Sequence, residues 1–183
     1  MPLSTDRLHL VPLALDDAPA IQAAFPKWEI VRWMDGAIPW PYPNTGAFDY
    51  LNDVALPAIR AGKAWHWSIR PRESAKQLIG VVSLMEKVND NRGFWLDLSW
   101  QARGLMTEAS DAVTDYWFND LGNEVLRVPK AVDNPSSRRI SEKRGMRVVS
   151  TFRKKLVSGI HACELWEITK AEWLAGALHR ESR

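Results

Sequence analysis

The sequence predicts a single α/β domain, and three observations carry that expectation. Strand-length runs separated by turn residues follow one another between positions 64 and 98. The last of these passes through a short polar turn straight into a helix at 95–109. Two further strand-length runs flank Ser158-Gly159, a hairpin turn. The length agrees, since 183 residues suit one domain with ample chain to bury a core.

Taken in chain order, Arg7 to Leu13 alternates as a strand, and Asp16 or Asp17 can cap a short helix through Phe25. Pro39, Pro41 and Pro43 force a loop. From Asn44 to Ala61, Phe48, Leu51, Val54 and Ala55 keep helical spacing, but Pro57 should kink or split that helix. Ala64 to Arg70 and Gln77 to Lys87 read as antiparallel strands around a turn at Pro71 to Ser74. Asn89-Asp90-Asn91-Arg92-Gly93 then turns the chain into the strand Phe94 to Leu98, which completes a meander. The helix Thr107 to Leu121 has its apolar stripe at Ala109, Val113, Tyr116, Trp117 and Leu121, and Gly122 stops it. Strand Glu124 to Val132 and a helix near Pro135 to Arg144 come next, followed by strands Arg147 to Val157 and Ile160 to Ile168. A final helix starts at Thr169, where Thr169-x-x-Glu172 is a capping box and Trp173, Leu174 and Leu178 give an apolar side. No repeat, linker or low-complexity tract interrupts this order.

The composition, 46% hydrophobic and 25% charged, is ordinary for a soluble globular protein, whereas ten tryptophans are unusually many. The N-terminus lacks a basic stretch followed by an apolar run, and no segment approaches the ~20 apolar residues that span a bilayer. A cytoplasmic protein with no membrane attachment is expected. The single cysteine, Cys163, has no partner for an internal disulfide and reads as a buried, inert thiol. His9, His66, His161 and His179 show no metal-ligand spacing, so no metal is expected. A net charge of +2 does not by itself indicate a nucleic-acid binder. Between Arg138 and Lys155, however, eight basic residues stand against the single acid Glu142.

The stretch Trp95-Leu96-Asp97-Leu98-Ser99-Trp100-Gln101-Ala102-Arg103-Gly104-Leu105-Met106-Thr107-Glu108-Ala109 has the character of an anion cradle. A loop that ends on a helix N-terminus points unpaired backbone N–H groups and the positive end of the helix dipole at one spot. Gly104 lets the backbone approach a ligand closely. A second segment, Asp133-Asn134-Pro135-Ser136-Ser137 through Glu142-Lys143-Arg144-Gly145-Met146, reads as a polar strand end, a helix started by proline and a glycine stop.

These two segments, in this order and spacing, resemble the GNAT superfamily of acetyl-CoA-dependent N-acyltransferases. Gln101-x-x-Gly104-x-Met106 is similar to the family's pyrophosphate loop, Q/R-x-x-G-x-G/A, and Asn134-x-x-Ser137 with Glu142-Lys143-x-Gly145-Met146 is similar to its next motif. Thr5-Asp6-Arg7-Leu8, Trp40-Pro41-Tyr42-Pro43 and Glu172-Trp173 extend the likeness toward the branch that acetylates the N-termini of ribosomal proteins. Met106 stands where the family usually has Gly or Ala, and Ala102 where this branch commonly has Gly. The resemblance implies the GNAT fold, a mixed, mostly antiparallel central sheet of about seven strands flanked by helices.

It also implies a site. Gln101, Gly104 and the backbone of Arg103, Leu105, Met106 and Thr107 would hold the pyrophosphate of acetyl-CoA. The strand Trp95-Leu96-Asp97-Leu98 would offer free backbone groups to the pantetheine arm, as to an added strand. Asn134 carries an amide able to donate and accept, which suits a pantetheine amide as well as a helix cap. Arg138 and Lys143, within the basic run, would suit the coenzyme's phosphates. Ser137 falls at the position of the ribosomal branch's acid, and Ser141 at the slot where other members carry a tyrosine acid; Ser141 reads here as a helix-surface serine. The carboxylate base of some members of the branch would fall near Lys155-Leu156, where no acid exists. Asp97 is the first substitute, with Glu86, Glu164 and Glu167 behind it, and His66 is a packed strand histidine or a base. Trp28, Trp33, Trp40 and Tyr42 cluster in the region that forms one wall of the family's acceptor site; one or two of them, not all, are expected at the acceptor cleft, with Trp33, Trp40 and Tyr42 as the candidates.

The expected function is direct transfer of the acetyl group of acetyl-CoA to a primary amine. The N-terminal amine of a protein or peptide is favoured, ahead of a small molecule such as an antibiotic, polyamine or amino acid. A coenzyme-binding regulatory module without turnover is the rival from another class. Specific nucleic-acid binding ranks last, and a monomer or homodimer is expected.

Overall fold

Two sheets, joined at one corner and parting from it, organise the computed structural model, which describes residues 1–180 and side chains to residue 176. The first sheet is an antiparallel run of five strands in sequence order, β1 (Leu3–Ser4), β2 (Leu8–Pro12), β3 (Ala64–Pro71), β4 (Gly80–Met85) and β5 (Arg92–Leu96). The second has the order β6–β8–β7, from β6 (Val125–Ala131), β7 (Arg147–Leu156) and β8 (Gly159–Thr169). All pairings within both sheets are antiparallel. The strands thus number eight among the described residues, because Leu3–Ser4 adds a short edge that the sequence pattern is too brief to signal.

Between β2 and β3 come α1 (Ala18–Ala24), α2 (Trp28–Val31), α3 (Gly46–Tyr50) and α4 (Leu56–Arg60). Pro57 splits the 46–60 segment as its chemistry requires. Proline has no N–H to give the preceding turn, and the chain widens into a π-turn over Leu51–Ala55, in which Leu56 N–H reaches Leu51 O. These helices pack Ile21, Phe25, Val31 and Leu51 against Leu78 and Val81 on one face of the first sheet.

On the other face lies α5 (Leu105–Asp115), continued by a π-turn to Asp120. Ala109, Val113, Trp117 and Phe118 pack there with Leu8, Leu10, Trp67, Ile69 and Leu84. Helices therefore cover β3 on both sides, so Trp67, Ser68 and Ile69 are all buried, whichever way they point. α6 (Pro135–Glu142) follows β6, and α7 (Lys170–Arg180) closes the chain. The capping box forms: Thr169 N–H donates to Glu172 Oε2 at 2.8 Å and Glu172 N–H to Thr169 Oγ1 at 3.3 Å. Trp173 is buried in the main core, and Leu174 is exposed; the side chains of Leu178 and His179 lie outside the described residues. Cys163 is buried, and burial pushes its thiol pKa up.

The corner where the sheets join sets up everything that follows. Asn91 N–H donates to Arg127 O at 2.8 Å, and Arg127 N–H returns a bond to Asn91 Oδ1 at 2.8 Å. Past this point β5 and β6 belong to different sheets and share no ladder. A gap is left beside their carboxyl ends, at Leu96 and Ala131.

Candidate functional site

That gap is an open cleft of about 460 Å³. Phe94, Trp95 and Leu96 of β5 form one side, Asn134, Ser136, Ser137 and Ile140 another, and the 101–107 loop its end. A strap carrying α2 crosses the remaining side and contributes Glu29, Ile30, Trp33 and Met34. The strap is tied to the β7–β8 hairpin, with Gly36 N–H on Lys155 O at 3.1 Å and Val157 N–H on Met34 O at 3.1 Å. Gly36 is required there, since a Cβ would lie 2.8 Å from Lys155 O.

The loop is built to present its backbone. Strand β5 ends at Leu96, earlier than the alternation suggests, because Asp97 caps a 3₁₀ turn at Leu98–Trp100 through Ser99 N–H at 3.0 Å. Gln101 donates from Nε2 to Leu96 O at 2.9 Å and so pins the loop to the strand end. Ala102 and Gly104 then take left-handed conformations, with φ of 59° and 77°. The first helical bond of α5 is Glu108 N–H to Gly104 O at 3.1 Å, so the amides of Leu105, Met106 and Thr107 precede the intrahelical ladder. The side chain at position 106 is buried in the main core, which explains how Met replaces the small residue of the motif without filling the loop.

The N-terminal segment, whose sequence gives no hint of this role, clamps the same loop. Arg7 donates from Nη1 to Arg103 O at 3.0 Å and from Nε to Glu108 Oε2 at 2.6 Å, while Arg7 N–H bonds Glu108 Oε1 at 2.9 Å. A second depression, lined by Arg7, Thr107, Lys143 and Arg144, continues from Gly104 on the outer side.

On the opposite wall, Asn134 Oδ1 accepts from Ser137 N–H at 3.2 Å as the cap of α6, and its amide nitrogen takes no part in that bond. Ser137 Oγ accepts from Lys130 Nζ at 2.9 Å. Lys130 is 5% exposed and stands 4.9 Å over the Phe94 ring. Burial, reinforced by the Arg92 charge against a weaker pull from Asp90, drives its pKa well below the ordinary lysine value. The strand alternation Leu126, Val128, Lys130 was the signal that this lysine faces inward.

Several expected residues stand elsewhere. Asp97 is held by Lys27 and Ser99. Burial works to raise its carboxyl, but the hydrogen bonds from Lys27 and Ser99 and the Lys27 charge hold it below the ordinary carboxylate range, which makes it a poor base. Leu98 sits on the 3₁₀ turn, outside the strand and outside the cleft lining. Arg103 donates to Ser99 O at 2.8 Å and covers the Trp100 ring, and Arg138 pairs with Glu164 at 2.9 Å; neither lines the cleft. Much of the basic run is consumed in the same way, by Arg144 with Asp111, Arg147 with Glu167 and Glu172, and Lys154 with Asp35 and Asp90. Of the run, Arg139 and Lys143 reach the cleft.

Trp33 lines the cleft, but Trp40 and Tyr42 do not. Trp40 packs on Trp28 at the surface, whereas Tyr42 meets Phe25 edge-on at 5.3 Å and covers Gly46. Burial pushes the Tyr42 phenol up to about 12. Ser141 is completely buried, contrary to its reading as a surface residue, because the helix turns it away from solvent and away from the cleft lining. His66 bonds Ser83 Oγ at 2.6 Å, and burial, with a smaller contribution from Lys87, lowers its pKa to about 4. Glu86 pairs with exposed Lys63, and Glu164 and Glu167 with arginines. Among the described residues the one carboxylate lining the cleft is Glu29, which sequence pattern could not single out on a four-residue helix. No helix among the described residues is long and apolar enough to cross a membrane.

Known proteins with this architecture have been solved. Ribosomal-protein-S5-alanine acetyltransferase from Vibrio fischeri superimposes with a TM-score of 0.79 at 14% identity, over 94% of this chain and 98% of its own. Spermidine N-acetyltransferase from Vibrio cholerae, in complex with CoA and spermine, gives 0.77 at 18%, over 93% and 99%. Mycobacterium smegmatis RimJ, in complex with CoA-disulfide, gives 0.77 at 16%, over 90% and 83%. No curated protein sequence matches the chain. The model of the acetyltransferase (GNAT) domain matches residues 7–147, most of the chain and both loop-forming segments, and the chain belongs to that family.

Proposed function

We propose that this acetyltransferase moves the acetyl group of acetyl-CoA onto the α-amine of a protein or peptide N-terminus. The observation that carries the coenzyme half is the loop 101–107 at the end of the β5–β6 gap. Its helix-terminal amides suit a diphosphate, and Lys143, shared by the cleft and the outer depression, suits a further phosphate. The gap leaves β5 without a ladder partner on that side, which suits an extended arm bearing amides. Asn134 and Ser137 stand across from it. Holding amine and thioester together in one cleft supplies most of the rate enhancement such a transfer needs.

The acceptor half rests on the charge of the cleft. Among the described residues Glu29 is its single acid, exposed on the strap beside Trp33 and Met34, and one carboxylate suits a monoamine better than a polycation. Near pH 7.5, freeing a lysine-type amine of pKa ~10.4 costs about 4 kcal/mol, against under about 1 kcal/mol for an α-amine of pKa ~7.7–8.0. The reading is tested by following thiol release from acetyl-CoA with tetrapeptides beginning in Ala or Ser, with Nα-blocked lysine and with spermidine. Higher kcat/KM on the peptides is expected, and better turnover of spermidine or lysine would refute the acceptor assignment. Turnover on any acceptor also eliminates a regulatory module that only binds.

A further inference from the structure

The cleft hides two cations behind its wall. Lys130 on β6 and Arg92 on β5 are both buried, and among the described residues neither has a carboxylate at ion-pair distance. Arg92 donates to Thr114 Oγ1 at 2.6 Å and leaves its Nε without a partner. Around Lys130, β5 offers Arg92 and the Phe94 face, the preceding turn offers Asp90, and α6 offers Ser137 and Arg138. β8 offers its register partner Glu164, but that carboxylate is taken by Arg138 Nε at 2.9 Å and Trp166 Nε1 at 3.0 Å. Asp111 attracts Arg92 and Asp90 attracts Lys130, in each case against a larger cost of burial, and a fold that needed only packing would place an apolar residue at 130.

We propose that Lys130, hydrogen-bonded to the serine that the resemblance places at the acid position, holds and resupplies the proton that Ser137 would give to the sulfur of the departing coenzyme. The proposal rests on the acetyl-CoA reading of the cleft. Ser137 is the member that faces the cleft, and Lys130 acts through it as a positioning and proton-holding residue. The amine forms the C–N bond, and collapse breaks the C–S bond and leaves its electron pair on sulfur. That pair takes the Ser137 hydroxyl proton while Ser137 Oγ takes one from the Lys130 ammonium, leaving a neutral amine. The acceptor nitrogen loses its surplus proton to water, and Lys130 regains one from water once the thiol has left. The depressed basicity of Lys130 brings its proton closer in affinity to a thiolate, which favours such a transfer. The paired cations also favour negative charge on sulfur.

The experiment compares wild type with Lys130→Met, Ser137→Ala, the double variant and Lys130→Arg. Acetyl-CoA dissociation constants come from calorimetry, kcat against pH from an Ala-starting tetrapeptide, and the titration of enzyme-bound CoA thiol from its thiolate absorbance, which needs no acceptor. In wild type the bound thiol should titrate below its free value. Lys130→Met should abolish that displacement, lower kcat about 10- to 100-fold and leave the dissociation constant within about threefold. It should not lower Tm, because methionine removes a buried charge at similar volume. The double variant should be no slower than the slower single variant, as expected for two residues acting as one unit. Lys130→Arg keeps the charge but cannot surrender a proton, so it should restore the thiol titration and not kcat. Intact acetyl-CoA binding with an unchanged thiol titration in Lys130→Met, additive losses in the double variant, or recovered kcat in Lys130→Arg would each overturn the relay alone. Failure of wild type to bind acetyl-CoA would overturn the coenzyme reading and the relay with it.

Discussion

Gly104 is the position where the coenzyme reading can be tested with least disturbance to the fold. Its φ of 77° costs a non-glycine residue about 1–2 kcal/mol. A Cβ would meet Arg7 Nη2 at 3.5 Å, an ordinary contact. It is also the N-cap of α5, where an aspartate carboxylate returns about 0.5–2 kcal/mol by bonding the free amides. Gly104→Asp should therefore fold with stability near that of wild type. The same carboxylate occupies the place proposed for the diphosphate. Two like charges ~4 Å apart repel by about 4 kcal/mol at an effective dielectric of ~20, a loss of about three orders of magnitude in affinity.

Thermal unfolding reads the difference. At about 100 times its dissociation constant, acetyl-CoA stabilises wild type by about 2.7 kcal/mol, and for a chain of this size Tm should rise by roughly 5–10 °C. At the same concentration the variant would sit at about a tenth of its own dissociation constant, where the gain is under about 0.1 kcal/mol and no shift is measurable. Gly104→Ala serves as control, since it carries the backbone strain without the charge and should keep most of the shift. A Gly104→Asp protein that folds and still shifts by several degrees would refute the placement of the phosphates.

Other perturbations follow from the same geometry. Ala102→Gly should raise Tm by about 2–4 °C, because it relieves about 1 kcal/mol of left-handed strain at φ 59°; an unchanged or lower Tm in calorimetry would contradict that. His66 has a folded pKa of about 4, below its value of 6.5 when unfolded, so the unfolded chain binds the proton first. The stability His66 contributes is complete above about pH 6.5 and is lost as pH falls toward 4, by up to about 3 kcal/mol. Urea unfolding across this range should show that slope, and His66→Gln should flatten it. Asp97→Asn should cost about 1 kcal/mol through the weakened cap and Lys27 pair and lower kcat less than about tenfold. Abolished turnover with coenzyme binding intact would instead make Asp97 the base.

How much of the site was legible depended on whether neighbours in sequence supplied it. The 101–107 loop and the Asn134–Ser137 turn were, because a strand end, a glycine and a helix start lie within a few residues of each other and the groups proposed to hold the phosphates are backbone amides. The helix split at Pro57 and the capping box at Thr169–Glu172 were readable for the same reason. Residues meeting across the fold were not. Arg7 lies almost a hundred positions from the loop that it clamps, and Glu29 enters the cleft because its strap is tied to the β7–β8 hairpin.

Sequence gives the sign of a side chain and not its partner. Asp97 looked like a base until Lys27, seventy positions away, proved to hold it, and the basic run looked free until Glu164, Asp111, Glu167 and Asp35 engaged it. The sequence by itself determined most of the elements, their order and the loop that leads into α5, because these depend on local periodicity and turn chemistry. The tertiary structure alone decided which charges are spent on one another and which face the cleft, because ion pairing and burial depend on distances that only folding sets.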